Sequence, residues 1–76
     1  MDELSGEVDM PKVKDAIRLI ERDGWRLVRT RGSHRHYQHK HKRGTVTIAG
    51  KMSKDLSPKT WSSILKQAGL EKGDLP

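Results

Sequence analysis

Four histidines fall within eight residues, at His34, His36, His39 and His41. The first follows Gly32 and Ser33, a turn signal that would set its side chain at the start of a new element. Histidine titrates near working pH, with an ordinary value of about 6.5, so a positioned imidazole can take or give a proton. RNA brings its own nucleophile: a base that removes the 2′-hydroxyl proton lets that oxygen attack the adjacent phosphate, with no metal or cofactor. His34 is the candidate for that general acid–base role. By itself such a histidine reads more simply as an exposed strand side chain with a packing or hydrogen-bonding role. His36, two residues on, would share a strand face with His34 at about 6.6 Å, taking ~3.3 Å per residue. That spacing could straddle a phosphate, one ring as base and the other as acid. The plainer reading of His36 is a phosphate contact or a solvated side chain.

Arg29, Arg31, Arg35, Lys51 and Lys54 are candidate phosphate contacts around these histidines. A guanidinium fork can hold a phosphate in two bonds and stabilise charge developing on it. Ser33 either positions the turn or offers its hydroxyl to a phosphate. A metal site on the histidines is disfavoured. The chain has no cysteine, carboxylates are missing from the neighbourhood, and the cationic field opposes a divalent ion. Neither metal nor cofactor is expected.

Charge supports a polyanionic partner. The 76 residues carry 16 Lys and Arg against ten acids, a net of +6. Four of the acids lie in residues 1–11, which hold no base, so the remainder sets 16 bases against six acids, a net of +10. Between Asp23 and Asp55 there is no acid at all. Such one-signed density repels itself and costs stability that a polyanion would offset. No apolar run approaches the ~18 residues of a membrane span, and the acidic first residues do not form a signal peptide. The expectation is a cytoplasmic protein with no membrane association.

A chain this short buries only roughly 60% of its unfolded surface, so one domain with a thin core is expected. Residues 1–10 read as a flexible acidic arm, residues 11–70 as the single domain, and residues 71–76 as a frayed tail. Pro11 suits the first turn of a helix whose apolar stripe is Val13, Ala16, Ile17 and Ile20. Asp23-Gly24 ends it. Residues 25–31 and 34–40 read as strands, the second with His34 and His36 on one face and Arg35, Tyr37 and His39 on the other. Residues 45–49 alternate as a third strand, with Val46 and Ile48 inward and Thr45 and Thr47 outward. Ser57 and Pro58 open a second helix with Trp61, Ile64, Leu65 and Ala68 on its stripe, closed by Gly69. The fold class is α+β in α-β-β-β-α order: a two-layer sandwich of a three-stranded antiparallel sheet with both helices on one face. The other face, carrying His34, Thr45 and Thr47, is left open. Trp25, Trp61 and Tyr37 read as core rather than as base-stacking platforms, since the chain has no Phe.

Several motifs acquire a joint meaning through their order. Gly24-Trp25 follows an amphipathic helix; Arg31-Gly32-Ser33-His34 comes next, with Tyr37 three residues on; then Ser53-Lys54-Asp55-Leu56; then Ser63-Ile64-Leu65-Lys66-Gln67-Ala68-Gly69-Leu70. This set resembles the core signature of HicA-type toxins over roughly residues 12–70. The resemblance implies a fold similar to double-stranded-RNA-binding domains. It implies a ribosome-independent mRNA-cleaving enzyme, an mRNA interferase, partnered by a HicB-type antitoxin. It places the catalytic histidine at His34. Many family members carry a second histidine directly after the first, where this chain has Arg35 and then His36, which leaves the role of a second histidine open. Two other functions use the same basic surface: a non-catalytic RNA-binding module, and a protein whose basic face only docks an acidic partner.

Overall fold

Val13, Ala16, Ile17 and Ile20 recur at helical spacing, and Val13–Arg22 forms helix α1 in the computed structural model, which describes residues 10–70. The expected acidic arm, apart from Met10, and the expected tail over residues 71–76 lie outside the described residues. Helix α1 starts two residues later than Pro11. Lys12 is extended, with φ −109° and ψ 166°, and bridges Asp55 in antiparallel fashion. Pro11 therefore sits before the cap, where its carbonyl accepts from the Leu56 amide at 2.7 Å. The orphan amides of the first turn are met by a distant loop. Val13 N–H donates to the Lys54 carbonyl at 2.9 Å, and Lys14 N–H to the Met52 carbonyl at 3.0 Å. The Asp15 carboxylate accepts from the Lys12 amide at 2.7 Å.

Three strands follow, β1 Trp25–Arg31, β2 His34–His39 and β3 Val46–Ala49, antiparallel and in that spatial order. Helix α2, Pro58–Gln67, completes the α-β-β-β-α order. The third strand begins at Val46, so Thr45 lies just outside it. The Ser57 hydroxyl accepts from the Thr60 amide at 3.2 Å and caps α2. At its other end Gly69, with φ +69°, lets the Leu70 amide reach the Leu65 carbonyl at 2.8 Å and the Gly69 amide reach the Lys66 carbonyl at 3.1 Å.

One apolar core joins the layers. Val13, Ala16, Ile17 and Ile20 of α1 pack with Trp25, Tyr37, Val46 and Ile48 of the sheet, with Ile64 and Ala68 from α2 and its C-cap, and with Leu56 of the connecting loop. Trp61 and Leu70 are partly buried against it. Trp25 and Tyr37, each 2% exposed, are core residues as expected. The Trp25 indole N–H is buried without a hydrogen-bond partner among the described residues, a cost of about 1–3 kcal/mol.

The turn from α1 into β1 is fixed by close approach. Gly24 has φ +109°, and a Cβ there would lie 2.7 Å from Nε2 of His39. That ring packs edge-on against Trp25 with centroids 5.3 Å apart, and its Nε2 lies 2.7 Å from the Asp23 carbonyl. Gly24→Ala combines an unfavourable backbone angle with this clash. It should lower stability by about 1–3 kcal/mol, seen as a reduced urea midpoint; an unchanged midpoint contradicts the packing described. The burial of Tyr37 raises its pKa above the ordinary 10.0, with the Glu21 carboxylate adding to the rise and Arg35 opposing it. The folded state therefore holds this proton more tightly than the unfolded one. The resulting stabilisation is fully present below pH about 10 and is lost as the pH climbs through the folded-state value. Since the chain has one tyrosine, absorbance titration of phenolate should give a single midpoint above 10.0.

Candidate functional site

The open face of the sheet is set by register. His34 stands opposite Arg31 on one side and Ala49 on the other; His36 stands opposite Arg29 and Thr47; Gln38 stands opposite Arg26. Residues directly opposite in an antiparallel ladder share a face, so Arg26, Arg29, Arg31, His34, His36, Gln38 and Thr47 lie on one surface. Two of the arginines reach it through an irregularity. The β1–β2 register shifts between Leu27 and Arg29, leaving Val28 as an extra residue in β1. Without that bulge, strict alternation would turn Arg29 and Arg31 toward the helices. With it, they stand beside the two histidines.

His34 opens the central strand. It is exposed, and its side chain makes no hydrogen bond among the described residues. His36 is half-buried, and its Nδ1 lies 3.1 Å from the Thr47 hydroxyl oxygen. That bond orients the ring and leaves Nε2 for a ligand. Ser33 is exposed in the preceding turn, and its carbonyl accepts from the Gly50 amide at 3.2 Å. Among the described residues no carboxylate pairs with Arg26, Arg29 or Arg31.

The other residues singled out from sequence are placed differently. Arg35 projects to the helix side of the sheet, opposite Ile48, and its guanidinium donates to the Gly50 carbonyl at 2.8 Å. It braces the exit of β3 and is not brought beside His34. Lys51 and Lys54 are exposed in the loop after Gly50. The stem of Lys54 lies against Gly50, with Cδ 2.9 Å from where a Cβ would be, while its carbonyl caps α1. The Ser53-Lys54-Asp55-Leu56 run is thus architectural, since it supplies a cap, a bridge to Lys12 and a buried leucine.

His39 and His41 lie at the far end of β2. The His41 amide donates to Nδ1 of His39 at 2.9 Å. Nδ1 must then be the unprotonated nitrogen, and Nε2–H donates to the Asp23 carbonyl. Both nitrogens of His39 are committed to structure. Lys42 completes this corner by donating to the Asp23 carboxylate at 2.6 Å and to the Ala68 carbonyl at 3.1 Å, at the C-terminus of α2. Among the described residues no three His, Cys, Asp or Glu side chains gather to hold a metal ion, and no helix is long and apolar enough to cross a membrane.

Sequence reasoning missed the structural roles of His39 and Lys42. It also missed Arg26 and Gln38 on the histidine face. Simple alternation along β2 could have flagged Gln38, since it stands four residues from His34.

A family model described as the HicA toxin of bacterial toxin–antitoxin matches residues 13–70. No curated protein matches the chain.

The hydrogen bonds at His39 define one tautomer. Nitrogen-15 chemical shifts of the histidine rings should show His39 protonated at Nε2 and bare at Nδ1. The reverse tautomer would contradict the corner described.

Proposed function

Because the chain belongs to the HicA toxin family of bacterial toxin–antitoxin systems, we propose that it is a metal-independent endoribonuclease that cleaves mRNA in the cytoplasm. The observation that carries this reading is His34 itself. It is exposed, its side chain is uncommitted to any partner among the described residues, and Arg31 faces it across the ladder on an open cationic surface.

The proposed step uses groups that the face supplies. A phosphate of single-stranded RNA lies between Arg29 and Arg31. The His34 imidazole takes the 2′-hydroxyl proton, and the 2′-oxygen attacks the adjacent phosphorus. The P–O5′ bond breaks, leaving a 2′,3′-cyclic phosphate on one product. The departing 5′-oxygen takes a proton from water to become a hydroxyl on the other, and His34 returns the proton it took to the solvent. The guanidinium groups stabilise charge on the phosphorane oxygens. His36, held by Thr47, presents Nε2 to the same phosphate. Arg35 acts indirectly by bracing the strand that bears His34, and Lys51 and Lys54 add to the cationic rim. The family's antitoxin, of HicB type, would silence the toxin by covering this face with acidic surface and competing with RNA.

A non-catalytic RNA-binding module would use the same surface without needing His34, and one comparison separates the two. In EDTA, the wild-type chain should cleave a single-stranded RNA. His34→Ala should bind that RNA equally and lose about 10²–10⁴ in rate. If neither chain cuts while both bind with steep salt dependence, the binding module is the better account. His36→Ala at the wild-type rate would remove His36 from the chemistry. Arg29→Ala and Arg31→Ala should each weaken binding and reduce the log–log salt slope by about 1.

A further inference from the structure

At the end of the sheet away from His34 the open face continues into a groove of about 530 Å³, lined by Asp23, Arg26, Val28, Gln38, Lys40 and His41. We propose that this groove is a nucleotide subsite, holding one base and its phosphate from the RNA strand that is cut at His34. The inference rests on the ribonuclease reading and adds where the rest of the substrate lies.

Three observations support it. The groove is continuous with the site, because Gln38 stands on the same face as His36 and His34, two and four residues along the central strand. Its chemistry suits a nucleotide better than a bare anion. Arg26 and Lys40 are cations, both exposed, for the phosphate. Gln38 is exposed and carries both a donor and an acceptor, the pair needed to read a base edge. Val28 is 54% exposed and gives an apolar surface for a base to lie on. Alternation from Arg26 already puts Val28 on this side of the strand, and the bulge there turns Arg29 and Arg31 to the histidines as well.

The groove is also cationic on balance. Its one carboxylate, Asp23, is held by Lys42 at 2.6 Å. Its side wall includes His39, whose two ring nitrogens are both bonded. A strand rises ~3.3 Å per residue, so Gln38 lies about 13 Å from His34. A stacked strand rises about 3.4 Å per nucleotide, so the bound nucleotide is within about four of the cleaved phosphate.

The test is cleavage of a defined single-stranded octanucleotide by wild type, Arg26→Ala, Gln38→Ala and Lys40→Ala, with each fold checked by circular dichroism. The KM should rise roughly tenfold in each variant, the size of one lost nucleotide contact. That loss should vanish on substrates trimmed to two nucleotides around the cut. Gln38→Ala should also relax base preference at one position within four nucleotides of the cut. Lys40 lies outside the strands, so its variant reports on the groove even if a strand substitution perturbs folding. If wild type cuts but all three variants keep its KM and its cut pattern, the subsite is overturned and the ribonuclease reading stands. If wild type neither cuts nor binds the octanucleotide, both fall.

Discussion

Gly50 joins the turn that bears His34 to the loop that starts α1, and the site depends on that junction. Its amide donates to the Ser33 carbonyl and its carbonyl accepts from Arg35. The residue turns with φ +106°, a conformation that favours glycine, and the Lys54 stem lies against it, with Cδ 2.9 Å from where a Cβ would be. From there the loop hands two carbonyls to the first amides of α1 and drops Leu56 into the core. The placement of His34 and the capping of a helix are thus set by one short stretch. A chain with so thin a core gains from this arrangement, because one loop satisfies helix amides that would otherwise need separate caps.

The placement of charge follows a related logic. Two acids, Asp23 and Asp55, bound the basic stretch, and each is paired with a structural cation, Lys42 and Lys12. Arg26, Arg29 and Arg31 are left unneutralised among the described residues, all on the histidine face. Repulsion among them opposes folding, and the tied corner at Asp23 and His39 holds the sheet against it. A polyanion or an acidic protein relieves the same repulsion. The same face would therefore suit both the RNA substrate proposed above and an antitoxin that competes with it for this surface.

Much of the fold was legible from local signals. Helical stripes, the capping Ser57, the glycines at helix ends and strand alternation pointed to the element order, the core aromatics and the shared face of His34 and His36. What was not legible has a common cause. The β1 bulge at Val28 carries no glycine or proline to announce it, so the side on which Arg29 and Arg31 emerge was hidden. The roles of Arg35, His39 and Lys42 depend on partners 15 to 26 residues away, beyond the reach of periodicity. The alternation of β2 already put Arg35 on the face away from His34, yet its charge alone marked it as a phosphate contact. The Ser53-Lys54-Asp55-Leu56 run was legible as a motif but not as the cap of a helix far earlier in the chain.

The proposed chemistry depends on the substrate's own oxygen as nucleophile, activated at His34. The most direct measurement is single-turnover cleavage of two matched RNA strands in EDTA, one with a 2′-hydroxyl at the cut nucleotide and one with hydrogen there. The two strands should bind equally, the first should be cut to a 2′,3′-cyclic phosphate, and the second should stay intact. Cleavage of the deoxy strand at a comparable rate would contradict this mechanism, because water or another nucleophile would then be making the attack.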